Sequence, residues 1–379
     1  MAKREIGIGI IGCGLMGREI ASASARWCDL LNLDFAPKIV GICDTNPATF
    51  NWFQTHFDLI TLATRDYQEL LGHPGIEVIY CAVPHHLHER FYIDIISVGK
   101  HLLGEKPFGI DRAANARIMD AIRANPDVLV RCSSEFPFFP GAQKIVGYIR
   151  DGRFGQILEV EAGFHHSSDL NPNKPINWKR QAQFNGESGS MSDLGIHMMH
   201  IPLRFGWLPH NLRALLSNVV PERPDRDGNL VPCDTWDNAT LACEVKTGDQ
   251  SFPMLLSTKR IAPGETNTWY IKVLGTRFSA EFTTKYPRTL RTLSYEPGGE
   301  QAWQTVDLGY DTVYPSITGG IFEFGFPDAV LQMLAAFCDE LVHGPQVPFS
   351  CATPEETELS HRIIDAALES QRSGQVVTL

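Results

Sequence analysis

The 379-residue chain lacks a repeat, a low-complexity tract and any apolar run near the roughly 18 residues that cross a bilayer. It also lacks a CxxC pair: its nine cysteines, at 13, 28, 43, 81, 132, 233, 243, 338 and 351, are odd in number and scattered. That spacing argues against a disulfide framework and fits reduced thiols in the cytosol. Clusters of Lys and Arg are missing too, with a formal net charge of −11 and a pI near 5.6. Nucleic acid and anionic membranes need dense cations, so a neutral or cationic small molecule is the easier partner. The opening MAKREIGIGIIGCG runs from a few polar or small residues straight into a strand and leaves no room for a signal peptide. A cytoplasmic protein without a membrane partner is expected.

What the chain does hold is enough apolar material for a packed core, with 43% hydrophobic and 20% charged residues. Its length suggests two domains or one elaborated domain. In the first third, short β-branched runs at 6–12, 38–44, 78–84, 101–107 and 128–134 alternate with helical patterns. This alternation predicts a doubly wound parallel sheet, a Rossmann-type α/β domain over residues 1–134. Near 135 the texture changes. LACEVKTG, SFPMLLSTKR, WYIKVLGT and FSAEFTT follow one another without crossover helices, so a large open, mainly antiparallel sheet is expected within a second domain over 135–379. DAVLQMLAAFCDEL and EETELSHRIIDAALESQRSG then return to helical periodicity.

IGIGIIGCGLMGREIASASA offers a strand, then Gly12, Gly14 and Gly17 in GxGxxG spacing, then a helix. Such glycines permit a tight turn, close approach of backbone to pyrophosphate and close helix–strand packing. The flanking strand and helix make a dinucleotide the expected ligand, with the whole turn (Gly12, Cys13, Gly14, Leu15, Met16, Gly17) as its candidate cradle. Asp44 and then Thr45 end the second strand, where a carboxylate can bond ribose hydroxyls and repel a 2′-phosphate. No Lys or Arg follows in DTNPATF, so NAD is expected over NADP. The alternative is that Asp44 merely caps the next helix.

SDLGIHMMH, at 192–200, spaces Asp193, His197 and His200 by four and three within an apolar run. At about 100° per residue a helix brings the three within about 60° of one another. One shared face can serve as a proton-handling site, a metal site or an ordinary core face with a satisfied histidine.

Together with AVPHHLH at 82–88 and GEKPFG at 104–109, these segments form a pattern that resembles the glucose–fructose oxidoreductase / inositol dehydrogenase family (Gfo/Idh/MocA) over essentially the whole length. The resemblance implies an N-terminal Rossmann domain, a C-terminal open-sheet domain and a homodimer or homotetramer. It implies a catalytic group of Lys106, Asp193 and His197. His197 would be the base that takes a hydroxyl proton, Lys106 would stabilise the developing alkoxide, and Asp193 would orient substrate hydroxyls and Lys106. Lys106 in one pocket with the acid and imidazole also argues against a metal there. Val83, Pro84, His85 and His88, with Glu105 and Lys106, become candidate cofactor neighbours. The chain departs from the pattern at His85, where relatives carry an asparagine, and at His200.

HHSSDLNPNKPINWKRQAQFNGESGS precedes the SDLGIH helix and suits a ligand rich in hydroxyls, with His165, Asp169, Trp178 and His200 as candidate contacts. Lys179 and Arg180 could instead hold a carboxylate, as on an aldonate or uronate. The expected activity is NAD-dependent oxidation of a ring hydroxyl of a sugar, glycoside or inositol. The rivals are a glycosidase that oxidises, eliminates and re-reduces, and a cofactor-binding sensor without turnover.

Overall fold

The computed structural model describes residues 3–309 and 312–379. The chain divides into two compact units, Met1–Phe138 with Asp311–Thr357 and Phe139–Tyr310 with Glu358–Leu379. The sequence places 135–379 in a second domain whose C-terminal helix returns to pack on the body; the observed division assigns Asp311–Thr357 to the first unit.

The first unit is built on a six-stranded sheet of β1 (Arg4–Ile11), β2 (Phe35–Cys43), β3 (Leu62–Thr64), β4 (Val78–Cys81), β5 (His101–Gly104) and β6 (Val130–Cys132), ordered β3-β2-β1-β4-β5-β6. Every pairing is parallel. Helices α1 (Leu15–Ala25), α2 (Phe50–His56), α3 (Tyr67–Leu71), α4 (His88–Ser97) and α5 (Arg112–Ala124) alternate with the strands. The middle strands are buried on both faces, which is why they read as continuous apolar runs. Strand order reverses between β1 and β4, so a crevice opens at their C-terminal ends, where Gly12 and Val83 follow. Only β3 escaped the sequence reading: three residues at a sheet edge leave no periodicity to detect.

The second unit carries a nine-stranded sheet. Its strands are β7 (Ile157–His165), β8 (Pro209–Ser217), β11 (Asn238–Thr247), β12 (Gln250–Lys259), β13 (Thr268–Gly275), β14 (Phe278–Thr283), β15 (Thr289–Ser294), β16 (Gln304–Asp307) and β17 (Val377–Thr378). A separate hairpin pairs β9 (Glu222–Pro224) with β10 (Leu230–Pro232). All pairings of the large sheet are antiparallel except β7 with β12. Helices α6 (Pro140–Arg150), α7 (Ala182–Asn185) and α8 (Ser190–Arg204) belong to this unit, and α8 lies across β7, β12 and β13. Residues 190–203 are all buried. Alternation along β7 turns Val160, Ala162 and Phe164 towards α8 and leaves Glu161 and His165 on the opposite face.

Helix α9 (Phe326–His343) belongs to the first unit, where it packs on α1 and β2 and Arg26 pairs with Asp328. Helix α10 (Pro354–Ser373) begins in the first unit and continues into the second. Among the described residues no helix is long and apolar enough to cross a membrane.

Candidate active site

The glycine turn is shaped by backbone proximity. Gly12 has φ +96°, and a Cβ there would stand 2.5 Å from the Ala82 carbonyl oxygen. A Cβ on Gly17 would stand 2.1 Å from the Gly12 carbonyl oxygen, so only glycine lets α1 start against the strand end. Gly14 differs, because a Cβ there would meet nothing within 4 Å. It is also the N-cap of α1, and no side chain caps the helix's first N–H groups. An open approach to uncapped N–H groups fits a pyrophosphate at this helix end. Leu15 is 75% exposed beside it. Cys13 instead points into the core, where burial and the neighbouring Asp44 push its thiol up to about 12.

Asp44 is partly exposed at the end of β2, its Oδ2 accepting from the Cys13 N–H at 2.8 Å and its Oδ1 from the Asn46 N–H at 2.8 Å. These bonds fix the carboxylate beside the glycine turn and leave it lone pairs for ribose hydroxyls. A cation that the segment after Asp44 does not reveal arrives from the end of β3: Arg65 Nε donates to the Thr45 carbonyl at 3.2 Å. Replacing Asp44→Ala removes the acceptor and keeps this guanidinium. The kcat/KM ratio of NAD over NADP is expected to fall by about ten- to hundredfold, the worth of charged hydrogen bonds. An unaltered ratio would count against ribose binding by Asp44.

The loops after β4 and β5 are clamped by buried side chains. His88 is 0% exposed; its Nδ1 faces the Pro107 carbonyl at 2.6 Å and its Nε2 the Val83 carbonyl at 2.8 Å. Burial pulls this imidazole down to about 4 against the opposing pull of the two carbonyls. The neutral ring carries one N–H and so donates to one of these carbonyls, while its face stacks on Tyr92 between the two loops. His85 is buried with its ring 5.3 Å from that of His88. The Glu105 carboxylate also points inward, accepting from Tyr80 Oη at 2.6 Å, while Tyr92 Oη donates to the Glu105 carbonyl at 2.5 Å. Lys106 follows this fixed point and is partly exposed, as are Val83 and Pro84.

In the second unit, α8 holds His197 in place from two sides. Trp269 Nε1 donates to the His197 carbonyl at 2.7 Å, and the Phe164 ring meets the imidazole edge-on at 5.4 Å. Asp193, one turn earlier, is 1% exposed and bonded to cations. Lys179 Nζ lies 3.0 and 3.2 Å from its two oxygens, and Arg260 pairs with Oδ2. Neither cation was visible as an Asp193 partner in sequence, because Arg260 comes from the distant end of β12. Among the described residues no group of three or more His, Cys, Asp or Glu could hold a metal ion.

Three of the residues proposed to touch substrate are placed otherwise. His200 is 0% exposed and bonds Arg204 through Nε2 at 3.0 Å, which makes it a core histidine on the α8 face. His165 bonds the Ser257 hydroxyl at 2.9 Å on the sheet face opposite α8, where it lines a cavity with Tyr270 and Lys272. Its neighbour His166 takes the α8 side, its ring 4.8 Å from that of Phe164. Asp169 is 1% exposed and paired with Lys174 at 3.0 Å. Trp178 remains partly exposed, with Lys179 Nζ 5.4 Å from its ring centre. Arg180 cannot receive a ligand carboxylate: it is fully buried, 2.5 Å from the equally buried Asp237.

A glycine turn opening at the switch point of a 3-2-1-4-5-6 parallel sheet defines a Rossmann-type dinucleotide-binding protein, here joined to an open-sheet unit with a polar buried helix. Residues 6–132 match the family model described as oxidoreductase family, NAD-binding Rossmann fold, and residues 142–281 match the GFO/IDH/MocA C-terminal domain. The chain belongs to the Gfo/Idh/MocA oxidoreductase family. Levoglucosan dehydrogenase of Pseudarthrobacter phenanthrenivorans is 25% identical over 232 residues, 59% of this chain and 57% of that protein. The match thus spans little more than half of that relative. Glucose-6-phosphate 3-dehydrogenase of Bacillus subtilis is 24% identical over 76% of this chain and 77% of that protein. In fold, levoglucosan dehydrogenase in complex with NADH and L-sorbose superposes with a TM-score of 0.87 at 22% identity, covering 99% of both chains. An inositol dehydrogenase homolog from Azotobacter vinelandii, complexed with NAD+, gives 0.81 at 18%, over 100% of this chain and 99% of that one.

Proposed function

We propose that the chain is an NAD-dependent dehydrogenase that oxidises a ring hydroxyl of a sugar, glycoside or inositol. The observation that carries this reading is His197, whose backbone carbonyl is anchored by Trp269 and whose imidazole meets Phe164 edge-on, within a helix that also bears a charge-paired aspartate. An imidazole is suited to accept the proton of a substrate hydroxyl as its carbon is oxidised. When bound, the nicotinamide supplies the hydride acceptor. Lys106, carried on a loop immobilised by His88, Tyr80 and Tyr92, supplies positive charge to the developing alkoxide. Asp193 positions Lys179 and Arg260, alongside the orienting of substrate hydroxyls and Lys106 that the resemblance implies. The family relatives named for levoglucosan and glucose 6-phosphate support polyhydroxylated rings as the substrate class.

The test is absorbance at 340 nm with EDTA-treated protein and NAD, screened against inositols, hexoses, aldonates and aryl glucosides, with aglycone release followed in parallel. NADH growth that chelation does not diminish is expected. Aglycone release without NADH would replace the dehydrogenase with a redox-cycling glycosidase. NAD binding with no conversion of any compound would leave a sensor.

A further inference from the structure

The surroundings of Asp193 bear on the substrate's charge. Its carboxylate, with a side chain 1% exposed, is shared by Lys179 and Arg260. The Arg260 guanidinium is 8% exposed in its side chain, and its Nε lacks a hydrogen-bond partner. Burial lowers it to about 10, which leaves it charged at neutral pH. The neighbouring acids are occupied as well. Asp169 holds Lys174 at 3.0 Å, and although burial would raise its carboxyl, Arg260 and Lys174 outweigh that and keep it below its ordinary value. Asp237 is taken by Arg180. Arg223 donates to the backbone carbonyls of Asn171, at 2.7 Å, and of Asp169. Lys174, Lys179, Arg180, Arg223 and Arg260 therefore crowd around Asp169, Asp193 and Asp237, next to the positive end of the 15-residue α8. Lys179 has 31% of its side chain exposed and so can reach a ligand.

We propose that the substrate carries an anionic group, a carboxylate or a phosphate, held by Lys179 with Arg260 behind it. This rests on the dehydrogenase reading above. A further anion meets a cluster in which the named cations outnumber the named carboxylates, whereas a hydroxyl in the same place offers only a dipole. The overall charge of −11 does not oppose this, because the local field at a cleft decides which ligand is retained.

The experiment compares kcat/KM with NAD for hexuronates, hexose 6-phosphates and their parent hexoses of gluco, galacto and manno configuration. Wild type, Lys179→Gln and Lys179→Arg are assayed, and the same compounds are titrated into NADH-loaded protein by nicotinamide fluorescence. One anionic class is expected to exceed its parent sugar by about ten- to hundredfold, the worth of a charge-assisted hydrogen bond. Lys179→Gln should abolish that advantage and Lys179→Arg keep it, and the favoured class tells carboxylate from phosphate. Equal turnover of parent sugars, or an advantage that survives Lys179→Gln, would overturn the anion site and leave the dehydrogenase intact. Lys179-dependent binding of an anion without oxidation would keep the site and remove the dehydrogenase. Neither binding nor turnover of an anion would overturn the proposal.

Discussion

His197→Ala is expected to lower kcat by about a hundredfold or more while leaving the affinity for NAD nearly unchanged, as for loss of a general base. The separation of effects follows from placement: the imidazole sits on α8 of the open-sheet unit, whereas Gly12, Gly14 and Asp44 lie in the other. The Trp269 indole bonds the His197 carbonyl and not its side chain, so truncation keeps that anchor. Pre-steady-state kinetics and cofactor titration check the two halves separately. Unchanged turnover would remove His197 from the mechanism, and a parallel loss of NAD binding would point to a misfolded helix.

Asp237→Ala is expected to cost about 3–5 kcal/mol of stability, because it leaves a fully buried guanidinium without its counter-ion. Arg180 and Asp237 are both 0% exposed, 2.5 Å apart. Asp237 Oδ2 also accepts from the N–H groups of Val219 and Val220 at 2.7 and 3.0 Å, and these would be orphaned as well. Chemical denaturation reads the loss. Asp237→Asn, which retains an acceptor for those N–H groups, should be milder; equal loss in the two variants would put the cost on charge alone, and no loss in either would refute the estimate.

The parallel sheet was legible because its middle strands are buried on both faces and stand out as apolar runs, and Gly12 and Gly17 because steric demands leave no other residue. Strand parity was legible too: Val160, Ala162 and Phe164 alternate, and extending that count past the strand end assigns His166 and not His165 to the α8 side. The polar character of SDLGIH was plain, but its partners were not. Nothing near Asp193 in sequence announces Arg260, and the role of Arg180 depends on Asp237, far along the chain. Likewise His88 and His200 resemble ligand groups by residue type, and only their complete burial against carbonyls or Arg204 shows structural work. The return of Asp311–Thr357 to the first unit had no marker, since α9 is apolar enough to suit any core.

That return has a consequence for the order of events during synthesis. Helix α9 covers α1 and β2, with residues 329–338 buried, and Tyr314 is tied to Gln332 of that helix by paired hydrogen bonds of 2.7 and 2.8 Å. A ribosome has therefore made every strand of the open sheet except β17 before it delivers the helix that packs on the nucleotide-binding unit. Proteolysis of stalled chains should find the first 138 residues still cleavable in chains that end before α9 and protected in chains that extend past Thr357. The nucleotide-binding core is thus closed by a segment made after most of the open sheet, and the open-sheet unit in turn waits for Glu358–Leu379.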